Sequence, residues 1–300
     1  MIDGLLVVDK PGGWTSHDVV AKLRGATRQR RVGHAGTLDP DATGVLLVGL
    51  GRVTRLMRFL QETTKSYRGV VSFGVATTTL DAAGDEVARA EMPVTEAAVR
   101  AAMLAFVGSI EQVPPMVSAL KVDGRRLHEL AREGREVERA PRSVRIDRYE
   151  LEAFEPGAFP SATVFVECSS GTYVRTLAAD LGTTLGGHAH LASLRRLRVG
   201  AFTLADATAL DALIADPLPF VHSPADALRG MERITVDAGT ATLVATGRVF
   251  TDTPFAAVGP GPFALVDGDA RLLAVYERRD ARLKPSVVIP VDAPAVGGGE

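Results

Sequence analysis

Apolar positions along this chain follow two rhythms, and their alternation lays out the elements. "GLLVVDK" (residues 4–10) is a short apolar run ended by Pro11 and two glycines, as expected of a buried strand. "TSHDVVAKLRG" then spaces Val19, Val20 and Leu23 along one helical face, with Thr15 or Ser16 as N-cap and Gly25 as the stop. "GVLLVGLG" predicts a second buried strand, "RVTRLMRFLQE" a helix and "SYRGVVSFGVAT" a β-branched, aromatic strand. "TEAAVRAAMLAFVG" predicts a helix capped by Thr95, with Val99, Met103 and Phe106 on its apolar side.

The rhythm breaks at "VPPMVSALKVDGRRLHELAREGREVERAPRSVRI". Here a proline break, a short Arg-rich helix and a loop predict an insertion, about 118–148, projecting from the core. "ATVFVECSSGTYVRTLAADLG" restores order as strand, turn and helix, with Leu177, Leu181 and Leu185 in register. The prolines of "ADPLPFVHSPAD" predict a linker. From about Arg233 short strands separated by Gly, Pro and Asp turns predict a small β unit, with "VDGDARLL" a hairpin through its Asp-Gly pair. The boundaries are 1–228 for the large domain and 229–293 for the small one, with 294–300 expected to be a disordered tail.

Composition narrows the class. At 300 residues and 46% hydrophobic, the chain can bury a large core. No apolar run approaches the roughly 18 residues of a membrane span, and "MIDGLLVVDK" lacks the basic stretch of a secretory signal. A cytoplasmic protein without membrane attachment is expected. Cys168 is the single cysteine, so an internal disulfide and a cysteine metal cluster are excluded, and a buried strand residue is the expectation.

Net charge is −2, which does not advertise a polyanion partner. Its distribution does: residues 1–72 carry eleven Lys/Arg against six Asp/Glu, and residues 121–148 nine against six. One electropositive face would suit contact with nucleic-acid phosphates; cations scattered on solvated helix faces would give similar counts.

"GHAGTLDPDATG" (33–44) holds the candidate chemistry. Asp39, Asp41, Thr43 and Gly44 imitate the start of a calcium loop, but its twelfth position, which needs a bidentate Glu, is Leu50. A phosphate cradle needs Lys and a hydroxyl after the last glycine, where this chain has Val45. A carboxylate acting directly, as nucleophile or base, survives both tests. So does an ordinary Asp-Pro turn, and the loop by itself leaves the two open.

Five further fragments stand in order around that loop: "DKPGGWTSHD", "KSYRGVVSFG", "VPPMVSALKVDGRRLHELAREG", "CSSGTYVRTLAADLG" and "LRRLRVG". With it they closely resemble the TruB family of bacterial tRNA pseudouridine synthases, over nearly the whole chain. One departure lies in "TTTLDAAGD", where the family often has an acidic or hydroxylic residue and this chain has Thr78 and Leu80, with Asp81 retained.

The resemblance implies an α+β fold: a large mixed β-sheet catalytic core flanked by helices, with a small C-terminal PUA-like β-barrel domain. It implies isomerisation of the T-loop uridine at position 55 of tRNA, through a flipped-out base, with no cofactor and no metal. Asp39 matches the essential aspartate. Tyr67 matches the tyrosine that packs on the flipped base, and Arg175 the arginine that pairs with the carboxylate, an arrangement expected to lower its pKa. Tyr173 and Leu194 match residues lining the uridine pocket, and His34 a histidine that enters the T-loop. Lys10 and Pro11 belong to a motif read as structural support behind the active loop.

The insertion and the C-terminal unit are expected to grip the T-arm backbone, with steep salt dependence. A monomer without an obligate protein partner is expected. Two alternatives are a ribosomal RNA pseudouridine synthase and a non-catalytic RNA-binding or folding factor. A small-sugar glycosidase would need a second nearby carboxylate, for which the loop offers only Asp41.

Overall fold

Apolar runs that are hydrophobic at every position need cover on both faces, and that requirement organises the middle of this molecule. In the computed structural model, which describes residues 1–118, 120–122, 125–127, 133, 135, 137–251 and 259–290, the chain opens with strand β1 (Gly4–Lys10) and helix α1 (Ser16–Thr27). Strands β2 (Val32–Ala35) and β3 (Thr43–Leu50) follow. Alternation sends Leu46, Val48 and Leu50 of β3 to one face, against Val19, Val20 and Leu23 of α1. Val45 and Leu47 go to the other, against Val53, Leu56, Met57 and Leu60. α1 begins with a reciprocal capping box between Thr15 and Asp18 and runs past Gly25 to Thr27.

The segment expected to be one helix is a 3₁₀ turn, Gly51–Leu56, passing into a short α2 (Met57–Gln61). β4 (Lys65–Phe73), the small hairpin β5 (Val75–Thr77) and β6 (Glu86–Arg89), helix α3 (Glu96–Leu104, capped by Thr95) and β7 (Gly108–Gln112) come next. A two-residue ladder, β8 (Lys121–Val122) with β9 (Arg125–Arg126), is the described part of the insertion; its Arg-rich helix lies largely outside the described residues. Residues 142–148, assigned to the insertion from sequence, are instead the first half of the 14-residue strand β10 (Arg142–Glu155). Val144 and Ile146 face inward while Arg142, Arg145 and Arg148 are exposed, and β10 pairs with β7 and with β11 (Ser161–Cys168).

Helix α4 (Val174–Thr184), strands β12 (Ala189–Val199), β13 (Phe202–Thr203) and β14 (Thr208–Ala209), and helix α5 (Leu210–Ala215) complete the large unit. Its ten-stranded mixed sheet has the order β14-β1-β3-β12-β4-β11-β10-β7, with β2 joined to β3 and β13 to β12. At its centre β12 meets β3 in parallel over only two residue pairs, Arg195 with Thr43 and Arg196 with Gly44. A Cβ on Gly44, whose φ is +100°, would lie 2.1 Å from the Arg196 carbonyl oxygen, so this crossing demands glycine.

The proline-rich segment expected to be a linker is pinned to the sheet: Leu5 and His222 exchange backbone hydrogen bonds of 3.0 and 2.9 Å. The C-terminal unit is a four-stranded sheet, β15 (Glu232–Thr235), β16 (Phe263–Val266), β17 (Leu272–Arg279) and β18 (Arg282–Val288), with helix α6 (Ala238–Ala245). The hairpin expected at Asp267-Gly268 joins β16 to β17. The expected tail, 294–300, lies outside the described residues.

The two units share apolar packing, since Ala264, Val266, Val275 and Val287 cluster with Leu5, Val7 and Val53. Arginines on the 3₁₀ turn and α2 add a polar seam: Arg55 and Arg58 donate to the carbonyls of Val288 and Ser286 at 2.8 and 3.0 Å.

Candidate active site

The Asp39 loop joins β2 to β3 at the sheet centre, and buried polar side chains strap it from three directions. Ser16, in the first turn of α1, accepts from the Leu38 amide at 2.9 Å and donates to the Leu38 carbonyl at 3.1 Å. Lys10, at the end of β1, is fully enclosed and donates to the carbonyls of Pro11, Trp14 and Pro40 at 2.9, 2.6 and 2.8 Å. The ammonium thereby ties the Pro11–Trp14 turn to Pro40 of the Asp39 loop. Burial pulls that ammonium down to about 8, against the opposing pull of Asp41 and Asp39.

The third strap is Arg196, 1% exposed. It donates to the carbonyls of Gly36, Thr37 and Val45 at 3.1, 3.3 and 2.7 Å, holding the loop at its entry and its exit. The Tyr67 hydroxyl lies against the same guanidinium. Arg196 was missed in the sequence because it sits between Arg195 and Arg198, whose salt bridges to Asp9 and Glu167 are far more exposed. Register shifts in β12 decide which of the three turns inward, and no local signal announces them.

Asp39 itself faces Arg175, as the resemblance implied. Nε and Nη2 of Arg175 lie 3.0 and 3.3 Å from Oδ2 and Oδ1 of Asp39, a two-pronged contact that fixes the carboxylate plane. Arg175 is 5% exposed whereas the Asp39 side chain is 41% exposed, so the clamp is buried and the acid is presented. The same guanidinium donates to the carbonyls of Thr79 and Val117 at 3.0 and 2.9 Å, and Nη1 stands 3.3 Å from Oδ2 of Asp81.

The expectation that this clamp would lower the Asp39 pKa needs correction. It is raised, because enclosure by protein outweighs the opposing pull of Arg175, with Asp81 adding to the rise. Arg175 divides its charge between two acids, which weakens its hold on each.

A cavity of about 610 Å³ opens on the carboxylate. Tyr67, Tyr173, Leu194, Lys65 and Arg58 line it together with Asp39, Arg175 and Arg196. Asp39, Arg175 and Leu194 also wall a smaller space of about 130 Å³ beside Asp81. Burial pushes the Tyr67 hydroxyl up to about 12, so it stays protonated, and Lys65 down to about 8. Tyr173 is held by Gln112, which accepts from its amide at 3.0 Å and donates to its carbonyl at 3.3 Å.

Five of the expected residues therefore meet at one cavity. His34 does not line it: its ring packs edge-on to His17 at 5.4 Å, and burial pulls it down to about 4, which leaves it neutral. Cys168 is buried in β11, with its thiol pushed up to about 11 by burial. Among the described residues no group of three or more His, Cys, Asp or Glu could hold a metal ion, and no helix is long and apolar enough to cross a membrane.

A presented carboxylate on a rigid loop, beside two tyrosines and several cations, suits a planar substrate attached to an anionic backbone; the class so defined is an enzyme acting on nucleobases in RNA. Comparisons with known proteins agree. The description "TruB family pseudouridylate synthase (N terminal domain)" matches residues 24–174, and "tRNA pseudouridylate synthase B C-terminal domain" matches 175–231. The two regions meet inside α4, and both contribute strands to the ten-stranded sheet.

The chain is 46% identical to the tRNA pseudouridine synthase B of Rhodococcus jostii (strain RHA1), over 95% of this chain and 93% of that one. It is 51% identical to that of Symbiobacterium thermophilum, over 82% of each. Among solved structures it matches one in "Crystal Structure of a Cbf5-Nop10-Gar1 Complex" with a TM-score of 0.72 and 25% identity, over 91% of this chain and 78% of that one. The chain belongs to the TruB family of pseudouridylate synthases.

Proposed function

We propose that this chain isomerises the T-loop uridine at position 55 of transfer RNA to pseudouridine, with Asp39 acting at the ribose–base junction of a flipped-out nucleotide. The observation that carries the reading is the Asp39–Arg175 pair, 3.0 Å apart at the wall of a cavity that Tyr67, Tyr173 and Leu194 also line. The reaction breaks the bond from the ribose to N1 of uracil and forms one to C5 of the same ring. C5 loses a proton, N1 gains one, and no oxidation occurs.

A carboxylate held in plane and open on one edge can meet the sugar carbon without losing its orientation. Tyr67, neutral and buried, offers the base a stacking face and a hydroxyl near the departing C5 proton. Tyr173 and Leu194 close the pocket, and the contacts they make help offset the few kcal/mol that extrusion of a stacked base costs.

We assign residues 1–228 to catalysis, and the insertion from about 118 to the start of β10 at Arg142, with the PUA-like unit at 229–293, to gripping the T-arm backbone. His34, with its neutral ring outside the cavity, would act on the loop around the target and not on the target itself. We infer a monomer working in the cytoplasm without an obligate protein partner. The names of the bacterial relatives favour transfer RNA over ribosomal RNA.

The test is to map pseudouridine in an unmodified tRNA incubated with the protein alone, and with Asp39→Asn. Modification at position 55 by the wild type, with loss of product but retained RNA affinity in the variant, supports the reading. Equal product from both proteins, or none from either, overturns it.

A further inference from the structure

Residues 19–38 contain five Lys/Arg (Lys22, Arg24, Arg28, Arg30 and Arg31) and no Asp or Glu. The whole positive excess of the first 72 residues therefore sits in this one stretch. The structure folds it into the second half of α1 and the turn leading to β2, with all five cations exposed. Arg24 donates to the Val32 carbonyl at 3.0 Å, and Lys22 lies 5.8 Å from the centre of the Trp14 ring. The side chains of Arg28, Arg30 and Arg31 make no ion pair or hydrogen bond among the described residues.

That is unusual for this molecule. Arg68, Arg100, Arg145, Arg148, Arg271 and Arg279 are also exposed, and each faces a carboxylate within 3 Å. Arg142, Arg248 and Arg282 are likewise exposed without an acid partner among the described residues, but they are scattered along the sequence, whereas Arg28, Arg30 and Arg31 fall within four residues.

The turn is also rigidly built. Gln29 accepts from the Ile2 amide at 2.9 Å and donates to its carbonyl at 3.1 Å. The carbonyls of Arg30 and Arg31 accept from Val32 and Gly51 at 3.0 and 2.8 Å. Three free guanidinium groups therefore project from a fixed backbone, so little ordering of the main chain would be lost on binding an anion.

Position supplies the partner. β2 runs directly from Arg31 toward the Asp39 loop, and four residues of strand span roughly 13 Å. Gly36–Leu38 extend that span before Asp39 is reached, and a duplex strand advances about 3.4 Å of axis per phosphate, so the phosphates such a patch meets lie several nucleotides from one seated at Asp39. We propose that Arg28, Arg30 and Arg31 form a phosphate-binding patch for the RNA backbone flanking the target nucleotide, separate from the insertion and the C-terminal unit. This deepens the function proposed above and rests on it.

The test is binding of unmodified tRNA across a salt series, for the wild type, for Arg28→Gln/Arg30→Gln/Arg31→Gln, and for a control, Arg68→Gln/Arg89→Gln/Arg100→Gln, in which the altered arginines are acid-paired. Thermal melts establish that all three are folded. Each phosphate contact contributes about 0.7–0.9 to the slope of log affinity against log salt. The first triple variant is expected to lose about 2 from that slope and about tenfold or more in low-salt affinity, with the control close to wild type. An unchanged slope, or an equal loss in the control, overturns the patch, and retention of parental binding would assign these arginines to some other acidic partner. Failure of the wild type to make pseudouridine would instead overturn the function itself, so the two failures are distinguishable.

Discussion

The ten-stranded sheet and the four-stranded sheet treat polar side chains in opposite ways. Of the eleven buried polar or charged side chains among the described residues, ten belong to the large unit, among them Lys10, Ser16, Lys65, Gln112, Arg175 and Arg196. The C-terminal unit buries Thr240 and otherwise packs Phe263, Leu265, Leu273 and Tyr276 against one another. A buried cation is costly unless all its donors are used. Where chemistry needs a loop held in one place, Lys10 and Arg196 donate to backbone carbonyls in and around that loop, among them Gly36, Thr37 and Pro40. Among the described residues the C-terminal sheet has no loop strapped by buried cations, and its charges, such as Arg279 with Glu277 and Lys284 with Asp280, stay at the surface. What separates the two is the presence of something to position.

The sharpest way to break that contrast is at the positioned group. Asp39→Asn should reduce pseudouridine formation by about 10⁴-fold or more, the scale seen when one member of a catalytic unit is removed, while a filter-binding assay finds tRNA affinity retained. Its pH behaviour follows from the raised pKa: the folded state holds the Asp39 proton more tightly than the unfolded chain does. Ionising this group therefore costs stability as pH rises from the ordinary Asp value toward the folded one. The variant should be no less stable than wild type at neutral pH in a thermal melt. Single-turnover rates of the wild type should fall on acidification with a midpoint above about 4.

Arg175→Ala removes a buried cation that holds two acids and two carbonyls. It should cost about 3–5 kcal/mol of folding stability by denaturant titration and abolish product formation as well. Arg196→Met keeps the volume but leaves the carbonyls of Gly36, Thr37 and Val45 without their donor, a loss of about 2–4 kcal/mol, and product formation should fall more steeply than tRNA affinity.

In the other sheet, Tyr276→Phe removes one hydrogen bond to the Arg248 carbonyl. About 1 kcal/mol should go, without change in single-turnover rate. Lys284→Ala, at an exposed pair, should change stability by less than about 0.5 kcal/mol. Equal effects of Arg196→Met and Tyr276→Phe on turnover would erase the distinction between the sheets.

Much of this architecture was legible from periodicity. β1, β3, α1 and α3 follow their apolar spacing and their caps at Thr15 and Thr95, because local geometry decides which side chains share a face. Misreadings fell where long-range pairing overrode local pattern. β10 carries exposed arginines, which disguised its first residues as insertion until β7 and β11 paired with them. The prolines around residue 220 suggested a linker, but β1 supplies an edge for His222. "AGTATLVA" shows no apolar stripe, and α6 was missed for that reason.

The candidate site divides along the same line. The sequence alone determined that Asp39 stands on a turn-rich loop unable to bind calcium or cradle a phosphate, and the ordered motifs named its companions Tyr67, Arg175, Tyr173 and Leu194. Only tertiary structure decided that Arg175 shares its charge with Asp81, that the Asp39 pKa rises, and that Arg196 and not Arg195 or Arg198 turns inward. Residue order conveys which side chains are available. Their direction and burial depend on strands that meet across more than a hundred residues, and burial is what sets the strength of a charge.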